Sequence, residues 1–432
     1  MNRLGHIIIL LLSPIFLWSQ KISEAATVIK PQFQEEIKVL SEQNKVLAAF
    51  ELIKAQRQET LEDLIQLTEI EAPPFKEEKR AAQFVEMIKT IRVDSIWIDE
   101  VGNVLALRKG TKNGKTVVLD AHLDTVFPEG TDVNVKMKGD TLYAPGIADD
   151  TRGLAMLIRV LSVMNETKIK TEHDVLFVGS VGEEGLGDLR GVKYLFSEKS
   201  MEIDSWISID GGALSRVNNK ALGSHRYQIT FQGPGGHSWG AFGLANPHHA
   251  LGSAIHYFTE AADQFTSYGL KTSYNVGIIE GGTSINSVPF SSTMQIDMRS
   301  ISPARLDSMD VILKTAVQKA LDHQNKIKRI GKDLTVKIEK IGDRPSGEHS
   351  EDLPIIQRAM AAVAFLGKRP QLTRGSTNSN IPISMRVPAV TIGRGGVGRN
   401  AHSLDEWWLD VDAYKSTQLA LLVLLSEAKL VD

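Results

Sequence analysis

The stretch Asp174-Val175-Leu176-Phe177-Val178-Gly179-Ser180-Val181-Gly182-Glu183-Glu184-Gly185 runs from an apolar strand into two adjacent carboxylates. Short apolar runs of the same kind stand at Val104-Leu107, Thr116-Leu119, Ser205-Ile209 and Ala389-Ile392. Such runs read as buried strands. Helical stretches such as 153–164 lie between some of them, so the pattern predicts an α/β core with a mostly parallel central sheet flanked by helices. Upstream, residues 31–91 read as helical. Phe50, Leu52, Ile53, Leu61, Leu64, Ile65 and Leu67 form the apolar stripe, and Ala72-Pro73-Pro74 interrupts it.

Residues 223–343 follow another rhythm. Arg226 to Phe231 alternates polar and apolar side chains. A helix at 247–262, strands at 272–279 and 293–298, a helix at 303–323 and a strand at 334–338 follow. The order β-α-β-β-α-β predicts a ferredoxin-like α+β unit. Apolar strand and helix patterns resume after Arg344, so this unit reads as an insertion. The expected division is a leader at 1–20, the α/β domain at 21–222 and 344–432, and the insertion at 223–343.

The chain has 432 residues and a net charge of -3, with 42% hydrophobic and 23% charged residues. This balance carries no basic footprint for nucleic acid or an anionic membrane. Met1-Asn2-Arg3 before the apolar run Ile7–Trp18 reads as a secretory leader, cut near Ser19-Gln20 or within Ser23-Glu24-Ala25-Ala26. The competing reading is an uncleaved anchor. Export to a periplasmic or secreted location is expected, with no membrane attachment after cleavage. The chain has no cysteine, so there are no disulfides, and metal ligands must be nitrogen and oxygen donors.

Several polar residues follow strands: His122 and Asp124 after Val117–Asp120, Glu183 and Glu184 after Val175–Gly179, and Asp210 after Trp206–Ile209. In an open α/β sheet these positions share the carboxyl edge, where sites form. Asp149 opens a helix near Thr151, and His402 follows Ala389–Ile392 through a glycine-rich loop. Singly, each has an ordinary explanation: a surface His-x-Asp pair, solvated Glu-Glu charge, an acidic helix cap, a turn aspartate. The ordered set points to a metal-dependent hydrolase of amide bonds. Gly393-Arg394-Gly395-Gly396-Val397-Gly398 suggests a phosphate loop but lacks the following Lys-Ser/Thr, and that reading is rejected.

Taken together, His122-Leu123-Asp124, Gly146-Ile147-Ala148-Asp149-Asp150, Gly182-Glu183-Glu184-Gly185, Asp210, Gly235-Gly236-His237-Ser238 and Ala401-His402-Ser403 resemble a co-catalytic zinc peptidase family. That family includes carboxypeptidase G, peptidase T, aminoacylase, and the acetylornithine and succinyl-diaminopimelate deacylases. The resemblance implies two Zn2+, with Mn2+ or Co2+ as rivals, bridged by Asp149. His122 and Asp210 complete one position, Glu184 and His402 the other. Glu183 is implied as the general base. Asp124 is implied to hydrogen-bond His122 and fix its tautomer, and the Asp149–Asp150 peptide to be cis.

In the inserted lid, His237 resembles a histidine that reaches a partner subunit's site and binds the oxyanion, which implies a homodimer through the lid. Asn286 resembles a lid residue that contacts substrate. Arg299 either forks onto a substrate carboxylate or braces the sheet, and Arg374 and Gly375 are further substrate-binding candidates. Thr151-Arg152-Gly153 departs from the family's usual Lys-Gly or Lys-Ala. Asp210, where deacylases more often carry glutamate, favours an aminopeptidase-like exopeptidase acting on di- or tripeptides. The alternatives are an N-acyl-amino-acid amidohydrolase, a glutamate-carboxypeptidase-like enzyme, or a non-catalytic peptide-binding protein on the same fold.

Overall fold

The computed structural model describes residues 28–112, 114–197 and 201–431. The expected leader lies outside these residues. Among them, no helix is long and apolar enough to cross a membrane.

Among the described residues the main sheet has nine strands. At its centre Asp174–Ser180, Thr116–His122, Ser205–Ile209 and Ala389–Ile392 run parallel. Every residue of these strands except Thr116 and Asp174 is buried, as parallel strands covered on both faces must be. Val104–Arg108 and Ser95–Ile98 extend the sheet antiparallel on one side. Thr151–Glu166, Pro354–Phe365 and Tyr414–Ala428 cover it, joined by the helices at 31–41 and 44–55, in one continuous apolar core. The parallel strands all end at the same edge, which collects the polar residues named above.

Arg216–Ala221 pairs antiparallel with Ala389–Ile392 and parallel with Gln371–Gly375. The apolar pattern hides this strand because Asn218 and Asn219 are buried in it. The chain leaves the main sheet at Ala221 and rejoins it at Gly347, which pairs with Ala221. Between them lies a separate antiparallel sheet of Gly223–Gln232, Ser291–Ser300, Thr272–Gly281 and Thr335–Arg344. Helices Pro247–Thr266 and Pro303–Ile327 cover one face and enclose a second core. Ser291–Ser300 alternates half-buried and buried along its length, as a strand covered on one face does. Asn246 caps the first lid helix by accepting from His248 N–H, with Pro247 at the next position.

The last lid strand runs on to Arg344, six residues beyond the alternating stretch read from sequence. A bulge opposite Arg226/Tyr227 breaks the alternation there without ending the ladder. This extension carries Arg344 to the edge of the main sheet.

Candidate metal centre

Main-chain anchors hold the ligand loops in place. The buried Arg80 guanidinium donates to the carbonyls of Ile70 and Leu123, fixing the turn after His122. Asn103 accepts from Val181 N–H and Glu77 from Gly182 N–H, so the turn into Glu183 is held from behind. Gly182 has φ +67°, and an added Cβ would strike Arg190, which pairs with Glu77. Glu406 is fully buried and accepts from the N–H groups of Gly146, Ala148 and Asp149. Burial pushes its carboxyl up to about 7, against the pull of those N–H groups. The Asp149–Asp150 peptide is cis.

On this frame the Asp149 carboxylate faces two histidines. Oδ1 lies 3.4 Å from Nε2 of His122, and Oδ2 lies 3.5 Å from Nε2 of His402. Nε2 of His402 is also 2.9 Å from Glu184 Oε1. His122 Nδ1 donates to the carbonyl oxygen of Asp124 at 2.9 Å. That fixes a proton on Nδ1 and leaves Nε2, buried without a hydrogen-bond partner among the described residues, as the nitrogen that faces the carboxylates. Ligand atoms of His122, Asp149 and Glu184 lie within 4.8 Å of one another. Asp210 stands on the same wall, close enough that Asp149 helps burial raise its pKa.

The electrostatics favour a bound cation. Burial lowers the pKa of His122, but the Asp149, Asp150, Glu183 and Asp124 carboxylates together hold it well above the usual histidine range. His402 is raised to about 10 by Asp149 and Glu184. Without a metal, protons on imidazole neutralise the acids. A divalent transition metal that replaces the Nε2 proton finds an imidazole nitrogen beside oxygen donors, a set that suits it.

Glu183 lines the same cleft and does not pair with the histidines. Burial raises its carboxyl to about 8, although Arg344 pulls it down. Arg344 Nη1 lies 3.1 Å from Glu183 Oε1, and its other terminal nitrogen donates to the Glu183 carbonyl. Asp150 serves the frame: it accepts from His122 N–H and pairs with Arg394. Arg394 Nη1 is also 2.8 Å from Asp149 Oδ1. Arg344 and Arg394 both escaped the sequence reading. Arg394 sits in the glycine-rich run read only as a rejected phosphate loop, and Arg344 lies beyond the lid's alternating pattern.

Other expected residues are placed differently. The Asp124 side chain does not make the contact implied by resemblance: its Oδ1 is 3.7 Å from His122 Nδ1, and its oxygens accept from the N–H groups of Glu183 and Glu184. The turn brings its main chain, not its carboxylate, under the imidazole. His237 is exposed on the small ribbon of Gly236–His237 and Ser287–Val288, and it does not line this chain's own cleft. Asn286 is exposed beside it, and its Oδ1 accepts from Ser284. Arg299 lines the cleft and pairs with Asp297. Arg374 turns toward Glu348 and lies outside the cleft lining, while Gly375 packs against Arg216. The cleft has a volume of about 630 Å³, the size of a small-molecule site.

A family profile described as Peptidase family M20/M25/M40 matches residues 118–426, and the protein belongs to this family of metallohydrolases. Carboxypeptidase G2 of Pseudomonas sp. (strain RS-16) is 24% identical over 328 residues, covering 72% of this chain and 73% of that protein. A di-peptidase from Saccharomyces cerevisiae shares the fold with a TM-score of 0.69 at 16% identity, over 89% of this chain and 99% of that one. A Bacillus subtilis protein described as a dinuclear metal binding peptidase does so with a TM-score of 0.59 at 17% identity, over 87% and 99%.

Proposed function

We propose that this metallohydrolase is a dinuclear zinc exopeptidase of aminopeptidase type, acting on di- or tripeptides. The observation that carries the reading is Asp149, whose two oxygens face different imidazoles. In this assignment His122 and Asp210 hold one cation, and Glu184 and His402 the other. When bound, the cations lower the pKa of a water and polarise the scissile carbonyl. Glu183 takes the proton from that water at its carboxylate and returns it to the leaving amine. Arg344 keeps the buried Glu183 ionisable and oriented. Arg394 holds Asp149 and Asp150 in register.

The likeness to a di-peptidase fold and the aspartate at 210 support the peptidase form. The relation to carboxypeptidase G2 supports a second reading, in which the bond cleaved is that of an N-acyl or C-terminal amino acid. A panel of free-amine peptides and N-acylated amino acids, tested on zinc-loaded protein, separates them. Release of amino acid only from blocked substrates overturns the aminopeptidase form.

In this reading a second copy of the chain docks through the lid and brings its His237 to the oxyanion. The exposed edge strand Thr272–Gly281 and the exposed ribbon at His237 support that geometry. Activity that does not change on dilution through a monomer–dimer transition removes the trans role. Export belongs to the same proposal, and fractionation of cells producing the full chain tests it.

A further inference from the structure

Asp120 stands near the end of a central parallel strand, two residues before His122, and is fully buried. No step of the proposed mechanism uses it. The strand registers set Asp120, Ser208 and Thr391 side by side on three neighbouring strands. Two residues back along each strand, and so on the same face, lie Val118, Trp206 and Ala389, which belong to one small apolar core. An apolar residue at 120 would extend that core. A buried carboxylate held by neutral groups costs more, so stability alone does not call for an acid here.

The two oxygens of Asp120 are shared among separate elements. Oδ1 accepts from the Ser208 hydroxyl. Oδ2 accepts from the Ser180 hydroxyl at 3.1 Å and from the Asn378 amide at 2.6 Å. The same amide N–H₂ donates to Ser180 at 2.7 Å, which closes a triangle. Ser208 in turn accepts from Ser379 and from the Trp206 ring N–H. Each partner stands just before or beside a residue of the site. Glu183 follows Ser180 by three positions, Asp210 follows Ser208 by two, and Thr377 of the cleft lining precedes Asn378. Arg80, Asn103, Glu77 and Glu406 each fasten a single turn. Asp120 ties together the ends of the three strands that deliver His122, Glu184 and Asp210.

We propose that Asp120 is a positioning residue of the metal centre: its carboxylate, shared by Ser180, Ser208 and Asn378, sets the spacing of His122, Glu184 and Asp210 and with it the affinity of the cage for cations. The inference rests on the metal-centre reading of that cage. A group that orients one ligand from behind is worth about tenfold to a hundredfold in metal affinity. The triangle also predicts that acid and amide can be exchanged. Asn378→Asp alone sets two carboxylates against each other, and like charges at that distance repel. Asp120→Asn with Asn378→Asp restores one carboxylate and one amide, with donor and acceptor reversed.

The test is a calorimetric zinc titration of chelated protein, beside thermal unfolding without metal. It compares the wild type, Asp120→Ala, Asn378→Asp, the exchanged double variant and Met360→Ala. Met360 is buried in the core on the opposite face of the sheet, so its loss weakens the fold away from the triangle. Zinc affinity falls about tenfold to a hundredfold in Asp120→Ala and in Asn378→Asp. It recovers most of that loss in the exchanged variant, and it is unchanged in Met360→Ala although the melting temperature drops. Should Asp120→Ala not fold, Asn378→Asp and its rescue decide alone.

Wild-type affinity in the folded Asp120→Ala protein overturns the anchor, as does an exchanged variant no better than Asn378→Asp. So does an equal loss of affinity in Met360→Ala, which would make the effect one of general stability. A wild type that binds a single equivalent, weakened in Asp120→Ala and rescued in the exchanged variant, supports the anchor and counts against the dinuclear reading.

Discussion

At the edge of the main sheet His122 and Glu183 are buried, their loops are pinned by Arg80, Asn103 and Glu77, and Glu406 pins the turn that carries Asp149. At the tip of the lid His237 and Asn286 stand in solvent, beside a Trp239 that is 87% exposed. The first region is preorganised by buried hydrogen bonds. The second displays groups of the same chemical kind held by exposed hydrogen bonds alone: His237 Nδ1 accepts from Trp239 and Gly240 N–H, and Asn286 Oδ1 from Ser284. In the proposed function, residues of the first kind act within one chain and His237 of the second kind acts from another copy.

The sharpest way to break this contrast is Glu183→Ala. The variant keeps its metal content and fold and loses about 10²- to 10⁴-fold in kcat at every protein concentration; elemental analysis beside the rate assay checks both halves. His237→Ala is expected to lose about 10²- to 10³-fold in kcat, the scale of one lost oxyanion donor. Mixing it with Glu183→Ala restores part of the activity if the histidine works in trans. Failure of the mixture to recover any rate removes the lid from the site.

Arg344→Met probes the seam between the regions, since this lid residue holds the sheet's base. Removing the cation disfavours the Glu183 carboxylate, so its pKa rises. The base works ionised, and the acid limb of the kcat/KM profile therefore moves to higher pH, by about one to three pH units. Burial holds the metal-free carboxyl near 8. Bound cations favour its ionised form, so the limb of the loaded wild type falls below that value. An unmoved limb in Arg344→Met shows that the ion pair does not tune the base.

The smallest effect is expected for Glu406→Ala, which orphans three main-chain N–H groups at a cost of about 1–3 kcal/mol. Metal affinity weakens about tenfold to a hundredfold, as for other groups that orient ligands from behind. Thermal unfolding with and without zinc reads both.

Much of the main-sheet region was legible in the sequence because apolar strands announce it and its polar residues fall where those strands stop. The lid's order of strands and helices was legible from its alternation. Arg344 was not, since a bulge interrupts the pattern just before it. Arg216 and Asn218 were hidden for a related reason: a buried strand with polar side chains does not read as a strand. Arg394 was invisible because its partners, Asp149 and Asp150, are 245 and 244 residues away and no local pattern joins them. The role of the Asp124 main-chain carbonyl escaped because residue types carry no record of which atom a turn presents.

The central claim is that Asp149 joins two cation positions, each completed by its own imidazole. Calorimetric zinc titration of exhaustively chelated protein, with the rate measured at each addition, tests it most directly. The account predicts two equivalents bound in the wild type, the rate rising with occupancy, and one equivalent at most in Asp149→Ala. A single equivalent in the wild type, or full rate before any zinc is returned, contradicts it.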